Sequence, residues 1–233
     1  MARRPARESS GPTEPTKTNR EKIIDALMEL LAEERIEDIG FAAIARRAAL
    51  TLADCRAEFR SVLAVLAAYT KEVDRQVLAG GDTDTAEEPP REQLFDVLMR
   101  RLEALAPHKA AIRSLARSAA RDPALAVALN GLTVRSMQWM LTAADISAAG
   151  PKGILRGQGL ALLYASVLRT WLDDDDPGLA RTMAALDRGL ARGAWWSGVL
   201  DNLCRLVPSR CCPPGRWSRR PRDAGVDEEP AAA

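Results

Sequence analysis

Arginines at 46, 47, 56 and 60, with Thr51 between the two pairs, form the grouping whose chemistry is clearest in this chain. A guanidinium fork grips phosphate oxygens, often bidentately. A threonine that opens a helix offers its hydroxyl and backbone N–H to the same kind of anion. Asp54 stands three residues after Thr51, which marks Thr51 as an N-cap. In a helix begun there, Cys55 and Phe59 are four apart and share an inner face. Leu52, Ala53, Arg56 and Arg60 then point outward. Arg46 and Arg47 close the preceding helix and flank the corner. Arg46, Arg47, Thr51, Leu52, Ala53, Arg56 and Arg60 are therefore the candidate contacts to double-stranded DNA, the cations on phosphates and the helix face on base edges. The N-terminal Arg3, Arg4 and Arg7 could reach an adjacent minor groove.

Other chemistries find little support. His108, the only histidine, has no Ser, Cys or Asp partner that spacing identifies, so no catalytic residue is assigned. Cys55, Cys204, Cys211 and Cys212 match no zinc spacing. The run Asp173–Asp176 lacks the alternation and glycine of a calcium loop; it reads as a helix cap and solvated charge. No glycine loop cradles a phosphate, and no cofactor or metal is expected.

The elements that position the arginines are helical. A first helix follows the capping-box pair Thr18 and Glu21 and buries Ile23, Ile24, Leu27, Leu30 and Leu31. The second spans Phe41 to Ala48 and the third starts at Thr51, so the two meet at a tight corner in a helix-turn-helix layout. Ser61 caps a fourth, with Leu63, Leu66, Val73 and Val77 facing the body, and Gly80-Gly81 ends it. Further helices are expected from about 91 to 105, from Pro107 to about 120, from Asp122-Pro123 to about 146, and from about 154 to 172 after a turn at 150–153. Asp176-Pro177 opens a last one. No stretch alternates β-branched residues, so the fold class is all-α.

This layout, from Arg20 to Leu66, resembles the TetR family of transcriptional regulators. The resemblance is carried by Ile24-Asp25-Ala26, Leu30 and Ala32-Glu33 in the first helix, Ile44-Ala45-Arg46-Arg47-Ala48 in the second, Ala49-Leu50-Thr51 at the corner, and Phe59. It implies an N-terminal three-helix helix-turn-helix domain (18–79) followed by a helical ligand-binding and dimerisation domain (91–207). The flanks, 1–17 and 208–233, are polar and expected to be disordered. The resemblance further implies a dimer on a palindromic operator, usually as a repressor relieved by a small molecule. Five positions depart from the family's habit: Ala49 replaces the corner glycine, Gly40 a capping Ser or Thr, Arg56 and Glu58 stand near the usual phosphate-binding aromatics, and Val62 replaces a lysine.

A shorter likeness lies in GLALLYASVLRTWLDDDDPGLARTMAALDRGL, which resembles the C-terminal region of the lipid-binding accessory protein of ubiquinone biosynthesis. It implies an isoprenoid-binding accessory protein with a vestigial helix-turn-helix as the alternative reading. Trp195-Trp196 would then sit at a membrane interface rather than on the protein's own core.

In the second half, Leu98, Leu102, Leu115, Trp139, Met140, Tyr164, Leu168 and Trp171 are the candidate pocket lining, and their character points to an apolar effector. Leu160, Leu163, Met183, Leu186 and Leu190, on the last two long helices, are the candidate homodimer surface. The net charge of +1 excludes a uniformly basic surface but allows a local patch. No apolar run is long enough for a membrane span, and nothing resembles a signal peptide, so the cytoplasm is the expected location.

Overall fold

Local signals set most of the helix starts. The Glu21 amide donates to the Thr18 hydroxyl (3.3 Å), and the Thr18 amide donates to the Glu21 carboxylate (2.7 Å). This reciprocal pair satisfies two amides at the head of α1 (Asn19–Glu33). The computed structural model describes residues 17–81 and 88–192. The five apolar residues expected to line α1 are all buried, together with Ala26 and Met28. A 3₁₀ turn (Ile36–Asp38) leads to α2 (Phe41–Ala48) and then α3 (Leu52–Glu58). The Ala64 amide donates to Ser61 Oγ (3.1 Å) at the start of α4 (Val62–Ala79). Leu66, Val73 and Val77 face inward on α4 as expected, whereas Leu63 is 37% exposed.

The corner between α2 and α3 turns at Ala49, whose φ of 54° and ψ of 43° are left-handed. The Leu50 amide donates to the Ala45 carbonyl (2.9 Å), the long bond of a Schellman cap. Ala49 thus adopts the conformation glycine would take more cheaply.

The body follows with α5 (Pro90–Leu105), α6 (Lys109–Ala119), α7 (Pro123–Ala143) and α8 (Gly150–Leu172), and a helical run over 180–192 is designated α9. Asp122 Oδ1 accepts from the amides of Ala124 (2.8 Å) and Leu125 (3.2 Å), so the cap-plus-proline start of α7 holds. Two expected boundaries move. The segment 150–153 is the first turn of α8 rather than a loop, because proline near a helix start is compatible with helix geometry. The last helix starts at 180 rather than at Pro177, with two aspartates of the acidic run at its head. Asp174 Oδ2 accepts from the amide (2.9 Å) and hydroxyl (2.7 Å) of Thr182, while Asp176 accepts from the Gly178 amide (3.2 Å) through Oδ1 and from the Ala180 amide (3.5 Å) through Oδ2.

Among the described residues there is no strand, and no helix is long and apolar enough to cross a membrane. The core joins Leu27, Leu31, Ile44 and Val65 to Leu98, Leu102, Met137, Met140 and Trp171. Helices α7 and α8 approach closely at Gly157, where an added Cβ would stand 3.1 Å from Gln138 Cγ. Helix α1 packs on α2 and also on α6. Two serine hydroxyls of α6 reinforce that contact: Ser114 donates to the Glu34 carbonyl (3.0 Å) and Ser118 to Glu37 Oε2 (2.9 Å).

Candidate nucleic-acid interface

The inner side of α3 is closed by Cys55 and Phe59, 1% and 4% exposed, which leaves its outer side to solvent. Leu52 is 57% exposed, and Ala53, Arg56 and Arg60 are exposed beside it. Arg56 and Arg60 make no ion pair with a described residue. Arg46 is also exposed, with its Nε donating to the Ala42 carbonyl of its own helix (3.3 Å).

Two of the expected phosphate contacts are differently engaged. Arg47 reaches back to α1, donating to both oxygens of Glu33 (2.6 and 3.1 Å) and to Glu29 (3.4 Å). Its hydrogen bond holds the Glu33 carboxyl below the usual carboxylate range. Arg47 therefore clamps α2 onto α1 rather than extending the outer cationic set. The Thr51 amide (3.0 Å) and hydroxyl (2.6 Å) both donate to Asp54 Oδ2, so the capping box already uses the two donors a phosphate would take.

The acids of α3 are directed elsewhere. Asp54 is held by Thr51, whose hydroxyl lowers its pKa. Glu58 faces Arg20 of α1 at 4.0 Å, and Arg20 stacks its guanidinium 4.8 Å from the Phe59 ring centroid. Arg3, Arg4 and Arg7 lie outside the described residues, as do Trp195-Trp196 and residues 208–233.

In the body, Leu98, Leu102, Met140, Tyr164 and Trp171 are buried, and Leu115 and Leu168 are half-buried against the same core. Trp139 does not join them; it is 56% exposed. A groove of about 610 Å³ opens elsewhere, between the end of α1 and α6, and is lined by Glu33, Glu34, Arg35, Asp38, Arg113 and Arg117, among others. Its polar lining is unlike the apolar pocket the sequence suggested.

The sequence reading missed a polar cluster inside the body. Asp74 of α4 is buried with Arg101 of α5 and Ser136 of α7. Arg101 Nη1 and Ser136 Oγ both donate to Asp74 Oδ1, the latter over 2.6 Å. The Arg101 guanidinium lies 5.6 Å from the ring centroid of Tyr164 on α8. Tyr69 of α4 is buried as well, with its ring set edge-on to His108. One signal was available: Leu94, Leu98, Arg101 and Leu105 occupy one helical stripe, and an arginine in an apolar stripe needs a buried partner.

The expected dimer residues are divided. Leu160, Leu186 and Leu190 are buried within the chain, and Leu163 packs where α8 meets Gly189 of α9. Leu160, Leu186 and Leu190 cover the protein's own core, whereas Leu163 is half-buried. Met183 remains 38% exposed, and Leu155 and Leu162 stand out from α8 at 52% and 62%. Among the described residues no three His, Cys, Asp or Glu side chains group as metal ligands.

No protein-family model matches the sequence, and no curated protein sequence matches it. Solved structures do match. A TetR transcriptional regulator from Nitrosomonas europaea ATCC 19718 aligns with a TM-score of 0.60 at 24% identity, over 76% of this chain and 98% of that one. A TetR transcriptional regulator from Rhodococcus sp. RHA1 aligns with a TM-score of 0.54 at 19% identity, over 75% and 95% of the two chains. Helix order, the tight corner after α2 and these alignments agree: the chain has the all-helical fold of the TetR transcriptional regulators.

Proposed function

We propose that this protein is a DNA-binding transcriptional regulator that reads a palindromic operator as a homodimer and answers to a small apolar effector. The observation that carries the reading is the outer face of α3. Leu52, Ala53 and Arg56, with Arg60, are exposed together, while Asp54 is taken up by the helix cap and Glu58 is drawn to Arg20. A short helix with an unobstructed outer face and exposed guanidiniums suits the major groove, where side chains meet base edges and phosphates. Arg46 adds a cation at the end of α2. The two half-sites would lie about 34–36 Å apart on one face of the duplex. The second copy would dock on α8 and α9 through Leu155, Leu162 and Met183. The repressor mode follows the habit of regulators with this fold.

Fluorescence anisotropy with promoter fragments neighbouring the gene, at low salt, tests the reading. Nanomolar binding that weakens steeply with salt is expected. Arg56→Ala or Arg60→Ala should reduce the salt slope by about two per dimer, one phosphate contact per protomer. Arg47→Ala should affect affinity less than either, because Arg47 is engaged with Glu33 and Glu29. No binding at micromolar dimer would remove the DNA reading.

A further inference from the structure

We infer that the reading head selects its half-site through thymine, by apolar contact of Leu52, Ala53 and Ala57 with the 5-methyl group that thymine presents in the major groove. The inference rests on the regulator reading and supplies what that reading leaves open, the base that is recognised.

Helix α3 is seven residues long, and its outer face consists of Leu52, Ala53, Arg56 and Ala57, all exposed. Leu52 and Arg56 are one turn apart, as are Ala53 and Ala57, so the four make one contiguous patch. Most of the side chains here that could hydrogen-bond a base edge are engaged within the protein. The Thr51 hydroxyl donates to Asp54 Oδ2 (2.6 Å) and accepts from the Asp54 amide (3.1 Å). Glu58 faces Arg20, and Cys55 is buried. Arg56 remains, and with Arg46 and Arg60 it offers exposed guanidiniums to the phosphates. The first residues of a recognition helix are those that meet base edges, and here they are a leucine and an alanine.

An apolar patch pressed on a base edge covers whatever that edge presents. Guanine, adenine and cytosine present only donors and acceptors in the major groove, and burying these without partners is costly. Thymine alone adds a methyl group, whose burial against a leucine is favourable. The short side chains at 53 and 57 allow the helix to approach the bases closely. Phosphate contacts orient the head but carry no base preference, so the choice of base falls to this patch.

The full chain, at low salt, selects binders from a pool of duplexes with a randomised core, and fluorescence anisotropy measures affinity for the enriched duplex. Each thymine of the half-site is then replaced in turn, in both half-sites together, by uracil, which lacks only the methyl group, by cytosine, and by 5-methylcytosine. At one thymine or more, uracil should weaken binding about four- to fifteenfold per dimer, the loss of one methyl contact per protomer. Cytosine should weaken it at least as much. 5-Methylcytosine should recover most of that loss, because nothing in the patch distinguishes the thymine carbonyl from the cytosine amine. Leu52→Ala should at least halve the thymine-to-uracil ratio while the salt slope holds; Arg56→Ala should lower the slope and keep the ratio. The inference is overturned if uracil binds as tightly as thymine at every position, or if 5-methylcytosine binds no better than cytosine. It is equally overturned if Leu52→Ala leaves the ratio unchanged. An enriched duplex indifferent to the methyl group removes the inference and leaves the regulator reading, whereas no enrichment removes both.

Discussion

Replacing Asp74 with alanine should be among the most damaging single changes in the body. The carboxylate is buried, and it alone among the described residues neutralises Arg101, whose side chain is 6% exposed. Its loss strands a buried guanidinium and leaves the Ser136 hydroxyl without its acceptor. Breaking a buried pair from one side costs about 3–5 kcal/mol. Domains of this kind are stable by about 5–15 kcal/mol, so the change removes a large share. At about 2–4 °C per kcal/mol for a chain of this length, Tm should fall by about 6–20 °C. Removing the whole cluster should cost far less. Asp74→Leu combined with Arg101→Met and Ser136→Ala leaves no charge and no orphan hydroxyl, and such replacements are often neutral or better. Urea and thermal unfolding followed by circular dichroism, at one fixed protein concentration, give both values. A loss below about 1 kcal/mol for Asp74→Ala, typical of solvated surface pairs, would refute the premise that this pair is desolvated.

Three further outcomes follow from the same structure. Ala49→Gly should leave stability unchanged or raise it by up to about 1 kcal/mol in thermal melts, since relief of the left-handed strain is partly offset by a freer unfolded chain. Ala49→Val should lower it, because a β-branched residue tolerates positive φ worse. The Asp174 carboxyl is lowered in pKa chiefly by the Thr182 hydroxyl, so its contribution is present above the ordinary aspartate pKa of about 3.9 and disappears as pH falls through the lower folded value. Asp174→Ala should accordingly destabilise the protein at pH about 7 and flatten the loss of Tm on acidification; an acid limb as steep as in wild type would contradict this. Leu162→Arg should yield monomer in sedimentation velocity with the helical signal intact, because Leu162 is exposed on α8; a persistent dimer would place the self-association surface elsewhere.

The parts of the fold legible in the sequence are those decided within a few residues. Thr18 with Glu21, Thr51 with Asp54, and Asp122 before Pro123 are local devices, and the helices they announce start where expected. The inner stripe of α1 and the inward turn of Cys55 and Phe59 follow from helical period alone. What remained hidden depends on partners distant in the chain. Arg47 looks like a phosphate ligand until Glu33, fourteen residues earlier, is found beside it. Leu160, Leu186 and Leu190 look like an interface until α8 and α9 are seen to cover one another. Asp74 and Arg101 are 27 residues apart, and no spacing rule joins them. The start of α8 was missed for a local reason: Gly150-Pro151 is a turn signal and also an acceptable first helical turn.

The serines that fasten α6 to the end of α1 bear on how this molecule can be taken apart. Ser114 and Ser118 hold the Glu34 carbonyl and the Glu37 carboxylate, and α6 lies along the helix on which α2, α3 and α4 assemble. A fragment ending at residue 81 would keep the whole reading head yet leave bare the side of α1 that α6 shelters. Excised, the head would meet water with an unsheathed hydrophobic flank, so operator affinity has to be measured on the intact polypeptide.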